Sequence, residues 1–274
     1  HAILGENGSG KSTLMNILSG LYAPDAGEIR MDGQPISIRS PKDAMDKGIG
    51  MIHQHFKLVE ALTAWENIVG GMQGQLFLRR REVVRQIGEL CRKYHLQMDP
   101  EKKVYEMTIG EKQTVEIVKA LYRKARIMIL DEPTAVLTPQ ETERLFTVIR
   151  NMKADGKAVI IITHKLHEVL GISDRVAILR KGEYVGDIAT RDADEATLTA
   201  MMVGEKVELN IERPEPVNPV KRLDIQHLTV RSAEGITVLD DASFDVYGGE
   251  ILGIAGISGN GQKELLEAIA GLQP

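Results

Sequence analysis

Eight residues near the start of the chain, Gly5-Glu6-Asn7-Gly8-Ser9-Gly10-Lys11-Ser12, combine three glycines with a lysine and two serine hydroxyls. The spacing G-x-x-x-x-G-K-S suits phosphate binding when a strand precedes it and a helix follows. Glycines let backbone N–H groups curl round phosphate oxygens, and a helix N-terminus adds partial positive charge. Gly5, Asn7, Gly8, Ser9, Gly10, Lys11, Ser12 and Thr13 are the expected cradle. Lys11 would reach the β- and γ-phosphates, Ser12 would ligate Mg²⁺, and Thr13 would bond the α-phosphate. A second cluster is the apolar run Ile127-Met128-Ile129-Leu130 ending in Asp131-Glu132. Asp131 would hold Mg²⁺ through water, and Glu132 would act as general base on an attacking water. His164, just past the apolar run from Ala158 to Thr163, can sense the γ-phosphate and orient that water. Each group alone has a plainer reading: a glycine turn, a surface Asp-Glu pair before a proline turn, and a strand-capping histidine.

These side chains need elements to hold them. Strands are expected at Ile49–His53, Ile127–Leu130, Ala158–Thr163 and Arg175–Arg180, with Ala2–Leu4 as the end of another. Amphipathic helices alternate with them, which implies a mostly parallel sheet covered by helices. One helix start is well marked: Thr138-Pro139-Gln140-Glu141 supplies an N-cap, a proline at the first helical position and a capping-box acid. That helix should run towards Gly156. Residues 72–122 read as a helical insertion.

The glycine loop recurs. Residues 3–21 (ILGENGSGKSTLMNILSGL) and 254–272 (IAGISGNGQKELLEAIAGL) match at an offset of 251 residues. A single repeat at that distance indicates tandem domains. The first is expected at 1–211 and a linker at 212–222, where ERPEPVNP reads as extended connector. The opening part of the second is expected at 223–274, with alternating strand patterns, a Gly248-Gly249 turn and an apolar strand from Ile251 to Ala255. By this offset about thirty residues are expected to precede His1.

Composition narrows the classes. The chain has 274 residues, a formal net charge of −5 and one cysteine, Cys91. A mildly acidic chain is a poor sequence-independent nucleic-acid binder. One cysteine excludes an intrachain disulfide framework. No apolar run approaches the roughly 18 residues that a spanning helix needs. His53, His55, His164 and His167 lack the Cys or carboxylate spacing of a zinc site. Arg79-Arg80-Arg81 reads as a solvated helix face.

With these residues placed, the chain resembles the ATP-binding subunit of an ABC transporter, an α/β P-loop NTPase with a helical signature subdomain. Ile52-His53-Gln54-His55-Phe56 is similar to the family's Q-loop, which implies that Gln54 contributes to catalysis and to Mg²⁺. Residues 107–113 (MTIGEKQ) resemble the signature, with Thr108, Ile109, Gly110 and Glu111 in its key positions. DEPTAVLTPQE and then ITHKLHEV follow in the family's order, which makes His164 the switch histidine. Tandem domains and HQHF resemble ATPases of simple-sugar and nucleoside importers, HQHF leaning towards the nucleoside type. The resemblance implies ATP and Mg²⁺ as cofactors, and transmembrane permease subunits as partners met in a groove after Gln54. It also implies an extracytoplasmic solute-binding protein, a place on the cytoplasmic face of the membrane, and no nucleic acid. Thr108 for Ser, Glu111 for Gln, Thr114 for Arg and Thr138 for Asp depart from the common pattern. A non-transport ABC ATPase acting on ribosomes or DNA is the alternative, against which stand the short proline-rich linker and the altered second loop. A fragment that binds nucleotide without turnover is another.

In the second loop (Gly256, Gly259, Gly261), Gln262 stands where Lys11 stands in the first, and Lys263 where Ser12 stands. Gln262 carries no charge, and moving a lysine one residue along a helix turns it by about 100°. The second loop is therefore expected to be degenerate. In the family each ATP lies between one domain's P-loop and the other's signature, so a second ABC domain would complete the first site. In the full-length protein Lys11→Ala should abolish ATP hydrolysis while Gln262→Ala barely changes it. Equal losses in a phosphate-release assay would defeat the asymmetry.

Overall fold

Met128 and Leu130 face one side of a sheet and Ile129 the other, and all three are fully buried. Alternation with burial on both sides is the signature of a parallel strand covered by helices on each face. The computed structural model describes residues 1–54, 56–72, 79–204, 219–232, 235–256 and 260–272. His55, most of the expected linker, and Gly259 lie outside them. The chain divides into two units, His1–Val207 and Glu208–Pro274.

The first unit runs β1 (Ala2–Leu4), α1 (Lys11–Leu18), β2 (Ile29–Met31), β3 (Gln34–Ile36), α2 (Pro41–Asp46), β4 (Ile49–Ile52), α3 (Ala64–Val69), α4 (Arg80–Tyr94) and α5 (Ile109–Tyr122). It continues with β5 (Ile127–Asp131), α6 (Pro139–Ala154), β6 (Ala158–Ile162), α7 (Leu166–Ile172), β7 (Arg175–Arg180), β8 (Glu183–Ala189) and α8 (Glu195–Val203). The main sheet has the order β4-β5-β6-β1-β7-β8. β4, β5, β6, β1 and β7 are parallel, and β8 closes the edge antiparallel to β7. The expected strands end within a residue of those observed. The one at Ile49 stops at Ile52, and the one at Ile127 extends through Asp131.

One face of the sheet packs Leu4, Met128, Leu130 and Ile178 against Leu145, Phe146, Ile149 and Met152 of α6. The other packs Ile3, Ile129 and Ile162 against Met15 of α1 and Ala44 of α2. A third cluster joins α3, α4 and α5 through Ile68, Val83, Ile87, Cys91, Val115 and Val118. The helical body thus begins at Ala64, earlier than the expected residue 72, because Ala64, Ile68 and Val69 share that core. Polar contacts tie it to the sheet domain, among them the Tyr94 hydroxyl with the Asp155 carboxylate, and Gln113 Nε2 donating to the Pro133 carbonyl at 2.7 Å.

The second unit contains β9 (Lys221–Arg231), β10 (Thr237–Tyr247) and α9 (Gln262–Ile269). β9 and β10 form an antiparallel hairpin. β9 starts at Lys221, inside the expected linker, because Lys221 pairs with Tyr247 and bridges Asp224 and Asp245. The expected strand at Ile251–Ala255 is not formed, and Ile251 is 93% exposed. Its counterpart β1 takes its pairing from strands far along the chain, Ala2 with Ile161 and Val176. Among the described residues of the second unit no such partner strands occur.

The marked helix start is as expected. Thr138 caps α6, its side chain accepting from Glu141 N while Glu141 accepts from Thr138 N. Asp155 follows the last turn and Gly156 takes φ 75°. Thr138→Ala should lower stability by about 1 kcal/mol, read as a shifted denaturant midpoint with an unchanged slope.

Candidate functional site

The glycine loop is built by close approach. Gly8 and Gly10 take φ 82° and 94°, a region open mainly to glycine. A methyl group at Gly5 would overlap the Leu179 carbonyl and the Ser9 hydroxyl. Ser9 N bonds Glu6 O, and Gly182 N bonds Ser9 O, so the loop is tied to itself and to the turn after β7. Gly10 is the N-cap of α1 and offers no side-chain cap, leaving first-turn N–H groups open to an anion. Lys11 is 8% exposed, and its Nζ bonds Gly5 O at 2.7 Å and Glu6 O at 2.8 Å. The ammonium thus fills the space that the loop encloses. Burial lowers its pKa, against the raising influence of Glu132 and Asp131. Asn7, Ser12 and Thr13 are exposed around it.

Parallel strands bring the acids to the same edge. Asp131 ends β5 opposite Ile162 of β6, and β6 pairs with β1, which leads into the glycine loop. Glu132 follows with φ 47°, a strained value for a side-chain-bearing residue. Its N–H bonds Ile162 O at 2.9 Å. Its Oε1 meets His164 Nδ1 at 3.0 Å. Glu132 Oε2 is buried without a hydrogen-bond partner among the described residues. A buried orphan oxygen costs roughly 1–3 kcal/mol, and persists where a ligand or water completes it. Gln54 is exposed two residues past Ile52, which pairs with Leu130, so it shares this edge.

The structure therefore gathers Lys11, Asp131, Glu132 and His164. Thr108, Ile109, Gly110 and Glu111 stand apart, at the N-terminus of α5. Thr108 and Glu111 form a capping box, and Lys102 Nζ bonds Glu111 Oε1 at 2.7 Å. The T-x-x-E spacing signals that box in sequence, a structural role beside the ligand role that the resemblance implies. Thr134 and Glu168, buried beside the cluster, were missed. The glycine loop, the open helix end and the orphan carboxylate oxygen suit a phosphate ligand with a divalent cation, for which Ser12, Gln54 and Asp131 would offer oxygen atoms.

In the second unit Gly261 caps α9 with φ 85°, as Gly10 caps α1. A methyl group at Gly256 would overlap the Gln262 amide nitrogen, so this amide lies close to Gly256, as the Lys11 ammonium lies close to Gly5. Lys263 is 78% exposed and pairs along the helix with Glu267 at 3.6 Å.

Burial and the nearby Glu132 hold the Asp131 carboxyl above the ordinary carboxylate range, with Lys11 opposing. A raised folded pKa favours the fold below the unfolded pKa, and that contribution is lost as pH rises through the folded value. Asp131→Asn should therefore raise the thermal midpoint of the ligand-free protein at pH 7, and the gain should fade below about pH 4. An unchanged or lower midpoint at pH 7 would contradict this.

Comparison with known proteins agrees with this geometry. The ABC transporter family profile matches residues 1–135. The chain is 46% identical over 275 residues to a guanosine import ATP-binding protein of Bacillus subtilis, covering 100% of this chain and 54% of that one. It is 44% identical over 305 residues to a glucose import ATP-binding protein of Haloferax volcanii, covering 100% and 55%. The chain thus spans about half the length of the curated relatives it matches. Among solved structures, a protein of Clostridium perfringens that is part of an ABC transporter complex superposes with a TM-score of 0.60 at 27% identity, over 70% of this chain and 77% of that one. Motif order, sheet order and these similarities agree: residues 1–135 carry the ABC transporter domain, and the chain is similar along its length to import ATP-binding proteins.

Proposed function

We propose that this chain binds and hydrolyses ATP to power solute import, as the ATPase part of an ABC importer. The observation that carries the proposal is the meeting of Lys11, Asp131, Glu132 and His164 at one sheet edge, with Glu132 Oε2 left open. Bound Mg·ATP would supply an electrophilic phosphorus and a metal that neutralises developing charge. Lys11 moves its ammonium from the Gly5 and Glu6 carbonyls onto the phosphates. Glu132 takes the proton of the attacking water on its carboxylate, while His164 holds Oε1 and fixes the carboxylate plane. Thr108 to Glu111, away from this cluster, serve the nucleotide of the opposite domain.

A groove lies between the sheet domain and the helical body, lined by Leu21, Ala44, Met51, His53, Lys119 and Arg123. It encloses about 210 Å³ and is mostly apolar, which suits a short permease helix. No helix among the described residues is long and apolar enough to cross a membrane. The protein then works peripherally, on the cytoplasmic face, through permease subunits, with an extracytoplasmic solute-binding protein upstream. The guanosine importer similarity and the HQHF segment favour a nucleoside, and the glucose importer similarity keeps simple sugars as the second reading.

Cells carrying the full-length protein and its permease should take up labelled guanosine more than labelled glucose. Glu132→Gln should abolish uptake and lower phosphate release by about 10²-fold or more, while purified protein still binds Mg·ATP. Retained turnover in that variant would remove Glu132 from the mechanism. Glucose uptake without guanosine uptake would reverse the solute assignment.

A further inference from the structure

A buried acid behind the hydrolytic cluster has no part in the reaction as described. Glu168, on α7, is 3% exposed. Its Oε2 accepts from Thr134 Oγ1 at 2.6 Å and from Thr163 Oγ1 at 3.4 Å, and its Oε1 pairs with Lys165 Nζ at 3.0 Å. Lys165 Nζ also reaches the Thr134 carbonyl at 3.0 Å. Thr134 and Thr163 are themselves fully buried. These residues flank the reacting pair: Thr134 lies two residues after Glu132, and Thr163 and Lys165 bracket His164.

The contacts close a ring. From Glu132 the chain passes through Pro133 to Thr134, crosses to Glu168, returns by α7 to Lys165 and His164, and meets Glu132 again at Oε1. Gln113 of α5 enters the same ring at the Pro133 carbonyl. Its buried part, Thr134, Thr163 and Glu168, is hydrogen-bonded throughout, and such a network holds its members in one arrangement, because any half-broken state strands polar groups in low dielectric. Glu132 needs such support, since its backbone is held at φ 47°.

We infer that Glu168 is a positioning residue for hydrolysis: by clamping the Thr134 turn to the switch segment it keeps His164 on Glu132, and through Gln113 the clamp joins the signature helix. The inference rests on the proposed ATPase activity. It is tested in the full-length protein by steady-state ATP hydrolysis. Glu168→Ala should lower kcat at least about tenfold with KM for Mg·ATP within about threefold. In a His164→Ala background the same change should cost less than about twofold, since the histidine it positions is gone. Glu168→Gln, which keeps a hydrogen bond to Thr134, should restore more than about half of the lost rate. Thr134→Val, matched in shape, should reproduce the kcat loss even where Glu168→Ala fails to fold by thermal melting. Full loss in the His164→Ala background, a raised KM at unchanged kcat, or wild-type kcat in Thr134→Val would overturn the positioning role. Absence of turnover in the wild-type protein would overturn the ATPase reading along with it.

Discussion

Parallel register is the constraint from which the rest follows. Ile161 of β6 pairs with Leu130 of β5 on one side and Ala2 of β1 on the other. Strands that run the same way release their loops at the same edge, and ligands of open α/β sheets collect there. Nothing local brings Lys11 to Glu132 and Glu132 to His164. The sheet does so, and the alternating apolar side chains on its two faces fix the register, because a one-residue slip would turn Met128 and Leu130 away from α6.

The same edge concentrates unfavourable features. Lys11 is buried against loop carbonyls, Asp131 is held above its ordinary carboxylate range, Glu132 sits in a left-handed backbone, and one of its oxygens lacks a partner. Burial disfavours both charges, and their mutual proximity offsets part of that cost. A site tuned only for stability would not retain them. A site waiting for a polyanion and a divalent cation would, because both ligands reverse the balance of local charge. The buried ring through Thr134 and Glu168 supplies the rigidity that such a strained cluster needs.

The two copies of the loop show how far local sequence reaches. Gly10 and Gly261 cap eight-residue helices in the same left-handed conformation, and Gly20 and Gly271 end them with φ 76° and 69°. The capping glycine and the helix after it therefore form from their own residues. The strand ahead of the loop does not: Ala2–Leu4 is a central strand, while 251–256 has no regular structure. The difference lies in the partner strands.

Sequence alone located the candidate groups and their order: the glycine loop with its lysine, the strand-end carboxylates, His164, the repeat, and Gln262 at the place of Lys11. Strand positions and the Thr138 cap were legible as well, because periodicity and capping are local properties. The tertiary structure decided the remainder. Gln113, Thr134 and Glu168 carry no spacing signal, since their meaning lies in pairing across 20 and 34 residues. The box that Thr108 and Glu111 form is a local T-x-x-E pattern as well, in residues to which the family resemblance gives a ligand role. Where the helical body begins, and whether Ile251 joins a strand, depended on which apolar faces found partners. Burial and hydrogen-bond closure are properties of the assembled fold, so no reading of one segment contains them.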